Sequence, residues 1–240
     1  MTIVPPGGGE LLRDAPERRL EILCEHDALH AMWSRLGPGG AGTDLHVHRR
    51  HADVFYVLDG ELTIRLGADD DRVVAPAGTL AVVPALVVHG FLNGSDADVR
   101  YLNFHAPGTG FAGYLRALVD GRSIVYDQEP PPADGGRSNA DALFASSSAD
   151  GGGGVLADAE AIAVAEVVVA GSDPAAPPSV RPGHLESLYV LDGELAVRAG
   201  DGELRARAGS WVQVRPGVAS AVSSAGSESA RYLDVRTPAT

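Results

Sequence analysis

The histidines and the aspartate near residue 50 are the side chains of this sequence best suited to metal chemistry. The stretch HVHRRHAD places His46, His48, His51 and Asp53 within eight residues. If its first part is a β-strand, His46 and His48 face the same side, because successive side chains of a strand alternate between its two faces. His89 follows a later apolar run, and closure of the strands into a barrel would bring it to the same place. Imidazoles and a carboxylate suit a divalent transition metal (Fe, Mn, Co, Ni, Cu or Zn), and octahedral coordination would leave about two positions open.

Simpler interpretations of these residues remain open at this point. A pair such as His46 and His48 often lies on a solvent-facing strand. His51 could compete as a ligand, although the polar residues around it are typical of a turn. His105 belongs to the alternating run YLNFHAP, which fits either the mouth of a pocket or a strand that faces solvent.

The elements that would position these side chains are predicted to be mostly strands. Short runs such as DVFYVL, ELTIRL, TLAVVP and VRYLNF alternate in polarity or are rich in β-branched and aromatic residues. Turn signals such as DG, GADDD, PAG and NGSD separate them. Many short strands at even spacing predict an all-β sandwich or barrel. The one helix predicted covers residues 110–121.

The chain repeats itself, which predicts two copies of one structural unit. YVLDGEL begins at Tyr56 and again at Tyr189, and the run RYL begins at Arg100 and again at Arg231. Because order and spacing are kept, the copies are interpreted as tandem domains. We expect an N-terminal barrel with its following helix over residues 1–120, a Pro/Gly/Ser-rich linker over 121–154, and a C-terminal barrel over 155–240.

Composition narrows the classes of function. The 240 residues include 19 basic and 32 acidic side chains, and the net charge of −13 disfavours nucleic acid or an anionic membrane as partner. Cys24 is the only cysteine, which excludes a disulfide framework and a cysteine-rich zinc site. The N-terminal residues lack the layout of a signal peptide, so a cytoplasmic location is expected. Two glycine-rich matches to G-x-G-x-x-G lack the βαβ context of a dinucleotide site.

Two motifs resemble those of the cupins. The first cupin motif, G-x5-H-x-H-x(3,4)-E-x6-G, matches the run from Gly40 to Gly60, and the second, G-x5-P-x-G-x2-H-x3-N, matches the run from Gly78 to Asn93. Two positions depart from the pattern, since Asp53 replaces a glutamate and Leu86 replaces a glycine. The resemblance implies a bicupin, with two tandem double-stranded β-helix (jelly-roll) barrels. Among bicupins, the sequence most resembles those of the quercetin-dioxygenase-like and pirin-like kind.

The resemblance also implies a ligand set. His46, His48 and His89 would be metal ligands, and Asp53 would be either a ligand or, because its side chain is shorter than glutamate, a base on a substrate hydroxyl. The second copy would be degenerate. Its positions equivalent to the four site residues are Ser179, Arg181, Glu186, and Ser220 or Ala221, which include no imidazole.

These observations predict a protein that acts on a small organic molecule. Phe55, Val57 and Phe91 are expected to line the substrate pocket, with Arg49 and Arg50 near its rim. The leading hypothesis is a metal-dependent, dioxygenase-like oxidoreductase. A non-redox isomerase or lyase and a non-catalytic binding protein are the alternatives, because the fold alone does not decide among them. Pairing of edge strands makes a homodimer plausible.

Overall fold

The computed structural model describes residues 1–147, 152–171 and 177–239, and the chain forms two compact units. One unit, here the first barrel, is Glu10–Ser146; the other, the second barrel, combines Met1–Gly9 with Ser147–Thr240. These units differ in two places from the predicted ranges 1–120, 121–154 and 155–240. The first residues belong to the second barrel, and most of the predicted linker belongs to the first.

The prediction of an all-β fold is confirmed, since strands dominate both units. In chain order the elements are β1 (Thr2–Val4), β2 (Glu10–Ala15), β3 (Arg18–His26), β4 (Leu29–Leu36), β5 (Ala41–His46), β6 (Ala52–Asp59), β7 (Glu61–Leu66), β8 (Asp71–Pro76), β9 (Thr79–Val83), β10 (His89–Leu92), β11 (Val99–Ala106), α1 (Phe111–Val119), a 3-10 turn (Asn139–Asp141), β12 (Leu143–Ser146), β13 (Gly154–Asp158), β14 (Ala163–Val169), β15 (His184–Asp192), β16 (Glu194–Ala199), β17 (Gly202–Arg207), β18 (Trp211–Val214), β19 (Ser220–Ser224) and β20 (Ala230–Pro238).

Two antiparallel sheets form the first barrel. The larger has the order β12-β9-β6-β11-β4-β3-β2, and the smaller has the order β5-β10-β7-β8. Their inner faces share one hydrophobic core, in which Phe55 and Tyr101 of the larger sheet pack with Ile64 and Phe91 of the smaller. The core fills one part of the space between the sheets, and the remaining part holds the polar side chains described below.

The repeated YVLDGEL builds the same corner in both barrels. In each copy the chain passes from the larger sheet to the smaller at the DG step, from β6 to β7 and from β15 to β16. Gly60 and Gly193 have φ values of 77° and 72° at this step. A Cβ on Gly60 would lie 2.6 Å from the carbonyl oxygen of Asp98, so this corner needs glycine both for its conformation and for space.

The second barrel has a six-stranded sheet, β1-β18-β15-β20-β14-β13, and a three-stranded sheet, β17-β16-β19. Its core includes Leu188, Val190, Val197 and Val212. Strand β1 pairs with β18 and thereby covers what would otherwise be the edge of the larger sheet. An unpaired edge exposes backbone groups that favour addition of another strand, which accounts for the place of these first residues.

The segment predicted as a linker contributes to the first barrel. Strand β12 pairs with β9, and the carboxylate of Asp127 accepts hydrogen bonds from the backbone N–H groups of Arg49 and Arg50 at 3.0 and 2.8 Å. Residues 148–151 of the predicted linker lie outside the described residues. The predicted helix is present as α1, with Leu115 buried, but Leu118 is 52% exposed and does not join its buried face.

Candidate metal centre in the first barrel

The structure brings together the four predicted ligand residues. The possible ligand atoms of His46, His48, Asp53 and His89 all lie within 4.8 Å of one another, and all four residues are buried. His46 ends β5 and pairs with His89, which begins the neighbouring strand β10. Asp53 comes from β6 in the larger sheet. The group therefore forms where the two sheets meet.

Backbone carbonyls orient the three imidazole rings. The Nδ1–H of His46 donates to the carbonyl oxygen of Asp44 at 2.8 Å, and that of His89 donates to the carbonyl oxygen of Val87 at 2.9 Å. The Nδ1–H of His48 donates to the carbonyl oxygen of Asp127. Because a carbonyl only accepts hydrogen bonds, each Nδ1 must carry the proton. Each Nε2 then presents a lone pair to the centre of the group, which is the arrangement of a metal-ligating histidine.

The lone pairs face one another at short range. The Nε2 atoms of His46 and His48 are 3.1 Å apart, and Nε2 of His89 lies 3.3 Å from Oδ2 of Asp53. Burial lowers the pKa of His46 to about 4 and that of His48 to about 2, so both rings are neutral near pH 7. Two buried nitrogen lone pairs at this separation repel each other unless a cation lies between them. The donor set therefore fits a divalent transition metal.

Asp53 is held as a carboxylate despite its burial. Burial alone would raise the pKa of Asp53, but the charge and hydrogen bond of His105 and the hydrogen bond of His89 outweigh burial and hold the pKa well below its usual range. The Nδ2–H of Asn103 donates to Oδ1 of Asp53, and Nε2 of His105 lies 3.4 Å from the same oxygen. Oδ2 faces His89 and is 3.9 Å from Nε2 of His48. One carboxylate oxygen is thus bound within the protein while the other faces the histidine group.

A second polar group lies behind the first. The sequence offers His51 and His105 as candidates for it, but not Tyr126 and Asp127. His48, His51 and His105 also bring possible ligand atoms within 4.8 Å of one another. His51, however, hydrogen-bonds through Nδ1 to Oδ2 of Asp127 at 3.1 Å, and the hydroxyl of Tyr126 lies 2.8 Å from Nδ1 of His105 and 3.3 Å from Nε2 of His51. His51 is thus positioned by Asp127 and Tyr126 rather than grouped with the four predicted ligands.

Sequence reasoning missed Tyr126 and Asp127 because they belong to a proline-rich segment that was interpreted as a linker. The only signal was an aromatic and an acidic residue in the run YDQEP, directly before three prolines. The alternating run that contains His105 was a better signal, since Asn103 and His105 both reach Asp53.

A cavity of about 250 Å³ opens onto the candidate centre. His46, His48 and Asp53 form part of its wall, together with Asn103 and His105. The other lining residues are mostly apolar: Leu12, Arg13, Arg18, Leu20, Met32, Thr43, Phe91, Phe111, Tyr114, Leu115, Leu118, Val119 and Gln128. Helix α1 and strands β2 and β3 thus supply much of the wall.

The predicted substrate pocket is corrected in part. Phe91 does line the cavity, but Phe55 and Val57 are 0% and 1% exposed and pack in the hydrophobic core. Alternation along β6 correctly placed them on the inner face with Asp53, but it carries no information on depth along the barrel. Arg49 and Arg50 are exposed and lie beside Glu129 and Asp127, outside the cavity wall.

The turn of the second motif shows how the chain accommodates Leu86. Leu86 has φ 69° at the position where the resembling family has glycine. Its N–H donates to the carbonyl oxygen of His48 at 2.7 Å, so the turn is tied to the ligand segment. Asn93, at the end of the motif, donates through its amide to the carbonyl oxygens of Leu36, Gly37 and Ala97, and is structural.

The second barrel has a different polar group at the equivalent positions. Ser179 pairs with Ser220 as His46 pairs with His89, which assigns Ser220 rather than Ala221 to the position of His89. The Ser220 hydroxyl donates to Oε2 of Glu186 at 2.7 Å, and Nε of Arg181 lies 3.4 Å from Oε1. Among the residues described in this barrel, no imidazole occupies any of these positions.

None of the helices formed by the described residues is long and apolar enough to cross a membrane.

Comparison with known proteins agrees with this architecture. The cupin domain family matches residues 32–105 and again residues 165–236. Solved structures with a similar fold include AerE from Microcystis aeruginosa, at 16% identity and a TM-score of 0.66, with 97% of each chain covered. A mutant of oxalate decarboxylase from Bacillus subtilis is 14% identical, with a TM-score of 0.69, covering all of this chain and 78% of that one. Protein Ylba from E. coli is 12% identical, with a TM-score of 0.69, covering 98% of this chain and 89% of that one.

None of the curated proteins matches this sequence. The solved structures, all below 25% identity, establish the fold and not the activity. The two family matches together cover more than half of the chain, and each falls on one of the two barrels. The chain therefore belongs to the cupin family and is a bicupin.

Proposed function

We propose that the first barrel binds one divalent transition metal and acts on a small organic molecule as a dioxygenase-like oxidoreductase. The observation that carries the proposal is the convergence of three Nε2 lone pairs and one carboxylate oxygen, in a group whose members His46, His48 and Asp53 also line a mostly apolar cavity. His46, His48, His89 and Asp53 would hold the metal. When bound, a redox-active ion such as Fe would bring substrate oxygen and O2 to one centre and couple them electronically.

The chain's own residues have three tasks in this proposal. Phe91, Phe111 and Leu115 line the cavity, exclude water from the reacting molecule and contact its apolar part. The carbonyls bonded to each Nδ1–H hold the imidazoles in the required tautomer. His105 and Tyr126 form a hydrogen-bonded pair beside Asp53, and because burial raises the pKa of Tyr126, the hydroxyl keeps its proton and donates a hydrogen bond to Nδ1 of His105.

Asp53 is proposed as a ligand rather than as the general base. A base works best when its pKa lies near the operating pH, and the pKa of Asp53 is held well below its usual range. That environment favours a permanent carboxylate, which suits a cation ligand. The alternative role of Asp53, a base acting on a substrate hydroxyl, suits a carboxylate held in this state less well.

One observation favours a second candidate function. His105 lies in the cavity wall beside Asp53, and an imidazole beside a Lewis-acidic metal would serve a non-redox isomerase or lyase that stabilises an enolate. A small-molecule-binding role without catalysis would use the same cavity. The cytoplasmic location and the homodimer stay predictions of the sequence.

Metal content tests the proposal directly. We expect untagged wild-type protein to carry about one Fe, Mn, Co, Ni or Cu per chain, and His48→Ala to lose it, because one of the inward-facing lone pairs is removed. His184→Ala is the control, since it removes an exposed imidazole from the second barrel. Oxygen consumption with phenolic and diketone substrates then separates the oxidoreductase from the non-redox alternative.

Each outcome bears on a specific part of the proposal. Retention of metal by Asp53→Ala would remove Asp53 from the ligand set. Wild type that binds zinc alone, with no redox-active metal taken up on reconstitution, would argue against the oxidoreductase and for the isomerase or lyase. Wild type that takes up no metal at all would leave only the binding role.

A further inference from the structure

Arg18 projects toward the interior of the first barrel from the beginning of β3. It lines the cavity that also reaches His46, His48 and Asp53. Its Nη1 lies 3.4 Å from the carbonyl oxygen of Gly42, a long contact. Burial raises the pKa of the fully buried Tyr101 hydroxyl, and the charge of Arg18 opposes that rise.

The guanidinium of Arg18 has no acidic partner among the described residues. Every other arginine between residues 10 and 146 has a carboxylate oxygen within 4.0 Å: Arg13, Arg19, Arg35, Arg49, Arg50, Arg65, Arg72, Arg100, Arg116, Arg122 and Arg137. The neighbouring Arg19 is paired with both Asp14 and Glu21. Acidic residues outnumber basic ones in this chain, so an arginine without an acidic partner on a cavity wall is an exception. A bound anion would supply the missing partner.

The guanidinium of Arg18 has unpaired donors of the kind that bind a carboxylate. The Nε–H is buried and has no hydrogen-bond partner among the described residues, and the contact to Gly42 uses Nη1 on the other side of the group. The edge formed by Nε and Nη2 is the one that binds a carboxylate through two parallel hydrogen bonds. Thr43, which also lines the cavity, has a buried hydroxyl that likewise lacks a partner in the described part of the chain.

The other residues that line the cavity restrict the size and polarity of the rest of the bound anion. Leu20, Met32, Phe91, Phe111 and Leu115 present apolar surface to the cavity. At about 250 Å³, the cavity is smaller than the usual range for drug-sized ligands, roughly 300–1,000 Å³. An apolar group of a few carbons or a single ring fits this space better than a polyol or a nucleotide.

We propose that Arg18 binds the carboxylate of the substrate, which makes the substrate a small organic acid with an apolar body. This inference rests on the proposed function only in that the cavity also holds the candidate metal centre. Arg18 is thus a specificity-determining residue that contributes no metal ligand. A phenol or a diketone without a carboxylate would leave its buried Nε–H unpaired and would bind more weakly.

Paired acids and amides test this inference. Benzoate and isovalerate are titrated calorimetrically into wild type, Arg18→Gln, Arg18→Lys and the control Arg19→Gln, alongside benzamide and isovaleramide as neutral analogues. Each protein is used both metal-free and loaded with cobalt(II). We expect Arg18→Gln to weaken acid binding by on the order of tenfold to a hundredfold, because a charge-assisted, two-point contact is lost. Arg19→Gln should bind like wild type, and Arg18→Lys should lie between wild type and Arg18→Gln.

The inference is overturned if Arg18→Gln binds the acids as tightly as wild type, or if neither acid binds wild type more tightly than its amide. Arg18→Lys keeps the charge and decides the question if the glutamine variant does not fold. Failure to take up cobalt would instead contradict the proposed function, and the metal-free titrations would still decide the role of Arg18. Cobalt uptake without a preference for acids would refute the inference and leave the metal centre intact.

Discussion

The two barrels each bury a carboxylate at the same position of the fold, but they surround it with different groups. Both have a buried carboxylate on the strand that leads into the repeated DGEL, Asp53 on β6 in one and Glu186 on β15 in the other. In the first barrel, imidazole lone pairs face that carboxylate, so the group is short of positive charge unless a cation binds. In the second, Arg181 and the Ser220 hydroxyl supply the positive charge and the donor from within the chain.

The same exchange extends to the residues behind the carboxylate. Register pairs Asp53 with His105 and Glu186 with Arg236, so an arginine stands where the first barrel has a histidine. Asp234 lies at the position of Asn103, with Arg236 Nε 3.3 Å from its Oδ2. A guanidinium thus does in one barrel what a metal would do in the other. The difference teaches that the two barrels compensate a buried carboxylate with different neighbouring groups.

The largest expected difference between the two barrels is in their stability at low pH. In metal-free protein, the pKa of His46 is about 4 when folded and about 6.5 when unfolded. The unfolded state therefore binds more protons between these values, so the free energy of unfolding falls as pH drops from about 6.5 to about 4, by on the order of 3 kcal/mol from this residue. The second barrel has no histidine at the equivalent position, and burial raises the pKa of Asp234, so protonation of Asp234 opposes its loss of stability in acid.

Hydrogen exchange at pH 7, 6, 5 and 4 measures this difference barrel by barrel. We expect amides of β5, β6 and β10 to lose protection at a higher pH than those of β15 and β18. His46→Gln is the control and should weaken the response of the first barrel without abolishing it, because burial also lowers the pKa of His48 to about 2. Equal loss of protection in both barrels would contradict the assignment of the effect to the histidine group.

Removal of the second barrel's carboxylate should cost stability but no metal. Glu186→Ala leaves the buried Ser220 hydroxyl without its acceptor and Arg181 without its nearest acid, which should lower the free energy of unfolding by about 2 kcal/mol. Urea denaturation measures this change, and metal analysis of the same sample should match wild type. Loss of metal from Glu186→Ala would show that the second barrel takes part in metal binding.

The turn before the last site residue should give the smallest effect. Leu86 occupies the left-handed region in the first barrel, where a residue with a Cβ is strained. At the corresponding position of the second barrel, Gly217 has φ 76°, which glycine adopts without strain. Leu86→Gly should raise the free energy of unfolding by about 0.5–1 kcal/mol, since relief of strain exceeds the added entropy of the unfolded chain. Gly217→Ala should lower it by about 1 kcal/mol. Urea titrations of both variants compare the two turns, and a destabilised Leu86→Gly would contradict the strain at that position.

Much of the first barrel's candidate site could be predicted because its information is local. His46 and His48 are two residues apart on a strand, and His89 lies within a second short motif, so spacing and alternation were enough to predict that they meet. The prediction of the substrate wall failed for Phe55 and Val57 because alternation gives the face of a residue but not its depth. Much of the cavity wall is instead formed by α1, β2 and β3, which lie outside the two motifs.

The sequence by itself determined the repeat, the all-β architecture, the candidate ligand residues and the lack of histidines at the equivalent positions of the second copy, because each of these depends on residue type and short-range spacing. Only the tertiary structure decided that Tyr126 and Asp127 enter the site, that β1 completes the second barrel and that Arg18, in the cavity wall, has no acidic partner in the part of the chain that the structure describes. These features depend on contacts between segments far apart along the chain, and no local pattern specifies which distant backbone or carboxylate a side chain will meet.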